Sequence, residues 1–204
     1  MIVESPLEGP VVLRSLNGLS PAVFFTHAAP VERGFRVRQA DRRVYRFLES
    51  DPPSHPDRWM EAARLFSGQV DVRSFGRGIP IDRPQWRDVE SVSLRSESTG
   101  SWIEVRAPSF VWGMVRKIVG ALREVDTGRL GLADLSQALA GRRRLTLPMA
   151  EPEPLVLWEV GYPLDWPYQW AGPNRHQVRY WEQQRQEAAV RERVIGTVTS
   201  GFPR

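Results

Sequence analysis

The chain has 204 residues, with 28 Lys+Arg against 24 Asp+Glu, 41% hydrophobic residues, eight Trp and no Cys, which suffices for one large domain or two small lobes around an ordinary core. The apolar share excludes a wholly disordered polymer, and the lack of Cys excludes a disulfide scaffold, a thiolate metal centre and a cysteine nucleophile together. Every cation except Lys117 is Arg, which suits phosphate and base recognition, while a G+C-rich genome accounts for the same bias equally well.

Met1-Ile2-Val3 reads as part of a strand, Leu13, Leu16 and Leu19 as a short helix, and Ala22 to Phe25 as a strand. The run from Phe35 to Glu49 alternates, setting Arg43, Tyr45 and Phe47 on one strand face and Val44 and Leu48 on the other. Asp51 to Ser54 breaks it. Trp59, Ala62, Ala63 and Phe66 give Asp57 to Ser67 the spacing of an amphipathic helix that stops at Gly68, before a polar loop with SFGRG at Ser74 to Gly78. Val89 to Ser96 and Ser101 to Ala107 form a hairpin.

Phe110 to Val125 has the clearest helical period, with Val111, Met114, Val115, Ile118, Val119, Leu122 and Val125 as its core stripe. Gly113, Arg116, Lys117, Gly120, Arg123 and Glu124 occupy the opposite arc. A helix from Leu132 to Ala140 runs into Arg142-Arg143-Arg144, a strand spans Leu155 to Tyr162, and a polar helix spans Asn174 to Arg193. This order implies an α+β fold, a mixed or antiparallel sheet with helices on one face and the other face open for a ligand.

The 113–124 arc fits a solvated helix face first and, second to that, an RNA contact, its glycines letting the backbone come close to the cations. The Arg43/Tyr45/Phe47 face fits a binding surface or core packing. Arg142 to Arg144 read as a solvated helix end that compensates the dipole, or as a weak electrostatic contribution to RNA affinity, and Asp41 and Asp71 read as surface partners of nearby arginines. His27, His55 and His176 are too far apart for a local ligand pair, so no metal is expected. No apolar run approaches a membrane span of ~18 residues. Glu4 and Glu8 stand where a signal peptide would be basic and apolar, so a soluble, cytoplasmic protein is expected.

Four blocks carry a family resemblance. Phe110-Val-Trp-Gly-Met-Val-Arg-Lys-Ile-Val-Gly120 resembles the F-x-x-x-M-V-R-x-I-V-G helix of TruA-type tRNA pseudouridine synthases, and Ala40-x-x-Arg43-x-Tyr45-x-Phe47 resembles their A-x-x-R-x-Y-x-Y strand. Gly68 with Asp71 and Ser74-Phe75 resembles their G-x-H-D-F-x-S-F loop, and Met149 to Leu157 with Val160-x-Tyr162-Pro163 resembles their A-P-P-x-G-L-x-L-x-x-V-x-Y-P end, without its glycine. The blocks are collinear over residues 34–163, and Leu16 to Pro21 suits the segment upstream.

The resemblance implies a two-lobed pseudouridine synthase fold, with residues 1–33 a remnant of the N-terminal lobe, 34–165 the C-terminal lobe and 166–204 a basic aromatic extension. It implies isomerisation of uridine to pseudouridine in tRNA, in or near the anticodon stem-loop, without a cofactor. A homodimer is the usual state. Tyr45 would pack on the uracil, Arg116 would pair with the nucleophilic Asp, and Arg43, Arg77, Lys117 and Arg123 would bind RNA. The family's Asp belongs to a G-R-T-D-x-G-V loop that this sequence lacks. The expectation is therefore an enzyme whose Asp comes from a segment missing from this chain or from a separate N-terminal lobe, or alternatively an inactive tRNA-binding module.

Overall fold

The computed structural model describes residues 2–80, 82–97, 100–169 and 172–199. Its elements in chain order are α1 (Gly9–Leu19), β1 (His27–Ala28), a 3-10 turn at Val37–Gln39, β2 (Arg42–Glu49), α2 (Pro56–Leu65), β3 (Gly68–Asp71), β4 (Trp86–Val89), β5 (Ser91–Glu97), β6 (Gly100–Ala107), α3 (Met114–Asp126), α4 (Leu132–Leu139), β7 (Leu155–Gly161), β8 (Tyr168–Gln169) and α5 (Arg175–Thr199). They form two compact units, one of residues 1–37 with 164–204 and one of residues 38–163. In this division the two terminal segments fall in one unit. No helix among the described residues is long and apolar enough to cross a membrane.

In the first unit β1 pairs with β8, His27 opposite Gln169 and Ala28 opposite Tyr168. Buried Asn17 fixes the turn after α1: its Nδ2 donates to the carbonyls of Leu13 and Phe25, each at 2.9 Å, and its Oδ1 accepts the Phe25 amide at 3.0 Å. That capture of the Phe25 backbone explains why Ala22 to Phe25 is irregular rather than the expected strand. Ile2 and Val3 form no strand, and Met1 lies outside the described residues. Asn174 and Gln177 make a reciprocal capping box at the start of α5, with 2.9 and 3.1 Å hydrogen bonds, and buried Gln177 also donates to the Asn17 carbonyl.

The second unit is an antiparallel sheet in the order β5-β6-β2-β7, beside a small β3-β4 ladder. The ladder replaces part of the loop expected after Gly68. Phe47, Ile103 and Val105 share one core with Trp59 and Phe66 near α2, Ile118 and Leu122 of α3, and Leu135 of α4, so these helices cover one sheet face. Phe47 is fully buried; of the expected binding face, this residue is core.

The other sheet face is not open in the way expected, because arginines and a carboxylate fill its centre. Glu104 of β6, with 1% of its side chain exposed, binds Arg46 at 2.9 Å, Arg106 at 2.8 Å and Arg95 at 3.2 Å. Burial by itself raises the Glu104 pKa, but the hydrogen bonds from Arg106 and Arg46 and the Arg106 and Arg95 charges outweigh it and leave the group lowered. The β2–β7 ladder shifts register between Val44, opposite Glu159, and Tyr45, opposite Leu157, leaving Trp158 as the extra residue of a bulge. The Arg46 guanidinium lies 4.0 Å from the Trp158 ring.

Candidate active site and nucleic-acid surface

Tyr45 occupies the helix-covered face of β2, between Val105 of β6 and Leu157 of β7 in register. Its ring meets Phe110 edge-on, centroids 4.8 Å apart at 74°. Both rings line a concavity of about 420 Å³ with Arg38, Ala40, Arg43, Pro108 and Ser109. Partly buried and beside a second ring, Tyr45 presents a flat apolar surface with a hydroxyl at its end, a combination that suits a planar base.

Arg43 stands at the same concavity but is held by the chain: its guanidinium donates to the carbonyls of Ala40, Pro108 and, at 2.9 Å, Arg38. It shapes the wall through three backbone acceptors. Of the other expected residues, Arg77, Lys117, Arg116 and Arg123 are absent from that wall.

Their placement follows from how α3 begins. The helix starts at Met114, not Phe110, because Gly113 has a left-handed φ of 77°. Phe110 and Val111 thus precede the helix without regular structure and Trp112 and Gly113 form a turn, the Met114 amide donating to the Val111 carbonyl at 3.1 Å, with Phe110 set against Tyr45. Residues 148–150 then run along α3. The Ala150 amide donates to the Arg116 carbonyl at 3.1 Å and the Arg116 Nε donates back to the Ala150 carbonyl. A Cβ on Gly120 would stand 2.2 Å from the Pro148 carbonyl oxygen. The glycine therefore admits the protein's own loop, and Gly120 is buried instead of lying on the open arc the periodicity assigned to it.

Arg116 makes no ion pair among the described residues, though its charge helps draw down the Glu151 pKa. Arg123, in contrast, is neutralised within the chain: Glu49 binds it at 2.8 Å and Glu151 at 2.9 Å, and it lies over the Phe47 ring at 5.3 Å. Its hydrogen bond to Glu151, against some loss of solvent, raises its pKa, and the same bond holds Glu151 down to about 2.

The Ser74–Gly78 loop gathers the remaining cations. The Ser74 carbonyl accepts from Lys117 Nζ at 3.3 Å, the Ser74 Oγ accepts the Leu145 amide at 3.0 Å, and the Trp112 carbonyl accepts the Arg77 amide at 3.0 Å. Lost solvation, and then the Arg144 charge, lower the Lys117 pKa. Asp71 is no surface partner: it is buried, accepts Arg73 Nε at 2.6 Å and takes the amides of Arg73 and Gln85. Arg143 pairs with Asp134.

Sequence reasoning did not single out Phe110 as the ring beside Tyr45, nor Glu49 and Glu151 as the partners of Arg123. The turn that precedes α3 was legible only through Gly113, which the apolar period overrode.

The model of a family described as tRNA pseudouridine synthase matches residues 62–163. Among curated proteins, tRNA pseudouridine synthase A of Thermococcus kodakarensis is 34% identical over 161 residues, covering 78% of this chain and 60% of its own length. That of Methanothermobacter thermautotrophicus is 33% identical over 157 residues, covering 76% and 56%. That of Thermococcus sibiricus is 31% identical over 150 residues, covering 73% and 56%. The chain thus spans less than two thirds of the length of these relatives. With the family model covering half of the chain, the chain belongs to the tRNA pseudouridine synthase family.

Proposed function

We propose that this chain supplies the uracil-contacting and RNA-contacting part of a tRNA pseudouridine synthase acting in or near the anticodon stem-loop, with the nucleophilic Asp brought by a segment outside this sequence. The curated relatives it resembles carry the name tRNA pseudouridine synthase A. The reaction is an isomerisation and needs no cofactor. The Asp carboxylate attacks the ribose or the uracil ring, the glycosidic C–N bond breaks, the base turns, and a C–C bond forms as a ring carbon gives up its proton. The target base must first leave its stack. In this reading Tyr45 packs on the uracil and assists removal of that proton. Arg116 holds the carboxylate ionised and oriented. Arg77 and Lys117 contact phosphate, while Arg43 and Arg123, committed to carbonyls and carboxylates of the chain, shape the surface rather than bind RNA directly.

The observation that carries the reading is Arg116: a half-buried guanidinium beside α3's start, free of any carboxylate ion pair among the described residues and fixed by its Nε to Ala150. A partly buried guanidinium without a carboxylate ion pair loses solvation uncompensated, and a carboxylate is its natural partner. The complete enzyme would be a homodimer, or this chain joined by a separate N-terminal lobe. The test is pseudouridine formation on tRNA by four samples: the chain, the chain with a lobe carrying G-R-T-D in cis or in trans, and both with Arg116→Ala. Turnover is expected only from the chain plus lobe with Arg116 intact. Full activity of the chain alone would overturn the reading. An inactive lobe-supplemented sample that still binds tRNA would favour the module reading, an RNA-binding relative without catalysis.

A further inference from the structure

Trp112 is an anomaly on the surface of the second unit. It has 62% of its area exposed, yet it lies between Val111, which packs against the core, and Gly113, whose left-handed backbone opens α3. Nothing about helix formation needs an aromatic there. Its position is nevertheless fixed: the Arg77 amide donates to the Trp112 carbonyl at 3.0 Å, and the Arg77 guanidinium lies 4.8 Å from the centre of the indole. The two residues come from different segments, the Ser74–Gly78 loop and the approach to α3. Gly76 lets those segments close up, since a Cβ there would meet Ile79 at 2.0 Å and Val111 at 2.7 Å.

The arrangement has three properties that point to one kind of occupant. A cation over one face of an exposed indole gives a flat, amphipathic platform, and an indole open to water is a good stacking surface for another π system. The platform stands among cations: Lys117 meets the same loop through the Ser74 carbonyl, and Arg144 is close enough to act on the Lys117 charge. Finally, two residues of chain span at most about 7 Å, so the Trp112 backbone lies within the reach of one nucleotide from that of Phe110, the ring that meets Tyr45.

We infer that Trp112, braced by Arg77, stacks on the base of a nucleotide neighbouring the target uridine and so positions the tRNA strand while the target base is drawn against Tyr45. This rests on the proposed function, and it adds a second base-contacting site to it. A stacking platform accepts any base, because every base has a π face. It therefore positions the strand without reading its sequence, and the phosphates on either side fall to Arg77 and Lys117. An exposed patch for a second copy of this chain is the competing occupant, and the Arg77 guanidinium on the ring, with Lys117 on the same loop, disfavours it, since two like-charged faces repel.

The experiment is equilibrium binding of fluorescent tRNA transcript to the chain, wild type, Trp112→Ala, Trp112→Phe and Arg77→Gln, at several salt concentrations, with circular dichroism as the fold control. Stacking is non-ionic and phosphate contact is ionic, so the two residues separate in the salt dependence. Trp112→Ala is expected to weaken binding about 5- to 100-fold with an unchanged slope of log K against log salt, and Trp112→Phe to restore most of the loss. Arg77→Gln is expected to reduce the magnitude of that slope by about 0.7 to 0.9. Wild-type-like affinity of a folded Trp112→Ala overturns the platform while leaving the proposed function standing. So does a Trp112→Ala that changes only the sedimentation coefficient of the free chain. Failure of the wild type to bind tRNA overturns the proposed function beneath it.

Discussion

At the scale of single residues, the site divides into groups that the fold has already used and groups left for a substrate. In the proposed function Tyr45 belongs to the second set, because one edge of its ring meets Phe110 and the ring still lines the concavity. Replacing it by Phe keeps the ring and removes only the hydroxyl. In the proposed enzyme completed with its lobe, Tyr45→Ala is expected to reduce turnover about 5- to 100-fold more than Tyr45→Phe, since stacking on a base contributes about 1–3 kcal/mol. Equal, wild-type-like rates in both variants would return Tyr45 to core packing. Glu151 belongs to the first set. Its pKa is depressed from 4.5 to about 2, chiefly by the Arg123 hydrogen bond, so its stabilising effect is complete above about 4.5 and fades as pH falls toward 2. Glu104 is lowered too and acts in the same sense. Glu151 is half-exposed and its pair with Arg123 is partly screened. Glu151→Gln is therefore expected to lower the melting temperature by only about 2–4 °C at pH 6, and by less at pH 2.5, read by thermal denaturation. A loss that grows on acidification would contradict this sign.

At the scale of elements, α3 shows which parts of the fold a sequence displays and which it hides. Its core stripe from Met114 to Val125 was legible, because burial against one sheet repeats every 3.6 residues, and the β5–β6 hairpin was legible through alternation. The start of α3 was not, because Val111 continues the apolar period while Gly113 turns the backbone left-handed. Nor was the β3–β4 ladder, four pairs joined across a loop, where Gly68 looked like a stop. Gly113, which caps α3, and Gly120 within it were seen as missing bulk, but a sequence shows that bulk is missing, not what fills the room. Gly120→Ala would drive a Cβ into the Pro148 carbonyl, which belongs to backbone and cannot swing aside, whereas a Cβ at Gly113 meets the flexible end of Met149 and carries only the left-handed strain. Gly120→Ala is expected to destabilise by about 1–3 kcal/mol through overpacking. Because Pro148 leads into Ala150, it should also displace Arg116 and slow the completed enzyme. Gly113→Ala should cost about 1–2 kcal/mol through backbone strain alone and leave the tRNA-bound rate closer to wild type. Denaturant midpoints with single-turnover rates distinguish the two.

At the scale of the whole molecule, the abundance of arginine acquires a structural meaning that composition alone could not give it. Arg42, Arg46, Arg73, Arg95, Arg106, Arg123, Arg129 and Arg143 all pair with carboxylates of the chain, and Arg43 holds three carbonyls. Family membership was legible because the four blocks are short, local and collinear. The division of labour among the arginines was not, because their partners lie up to 117 residues away, as Arg42 and Glu159 do. One more consequence follows from β7, the last strand of the sheet. Among the described residues it pairs on one side only, with β2, and Val156, Leu157 and Trp158 are each about half exposed along it. Such a border has unpaired amides and apolar side chains together, and two molecules can join along it strand to strand. The purified chain should therefore be colloidally unstable: light scattering should rise with protein concentration, and Leu157→Lys should suppress the rise without lowering the melting temperature by more than about 2 °C, because a charged surface side chain costs little folding energy. Scattering that is flat with concentration in the unaltered chain would mean that the bulge at Trp158 and the Arg42–Glu159 pair already keep neighbours off this strand.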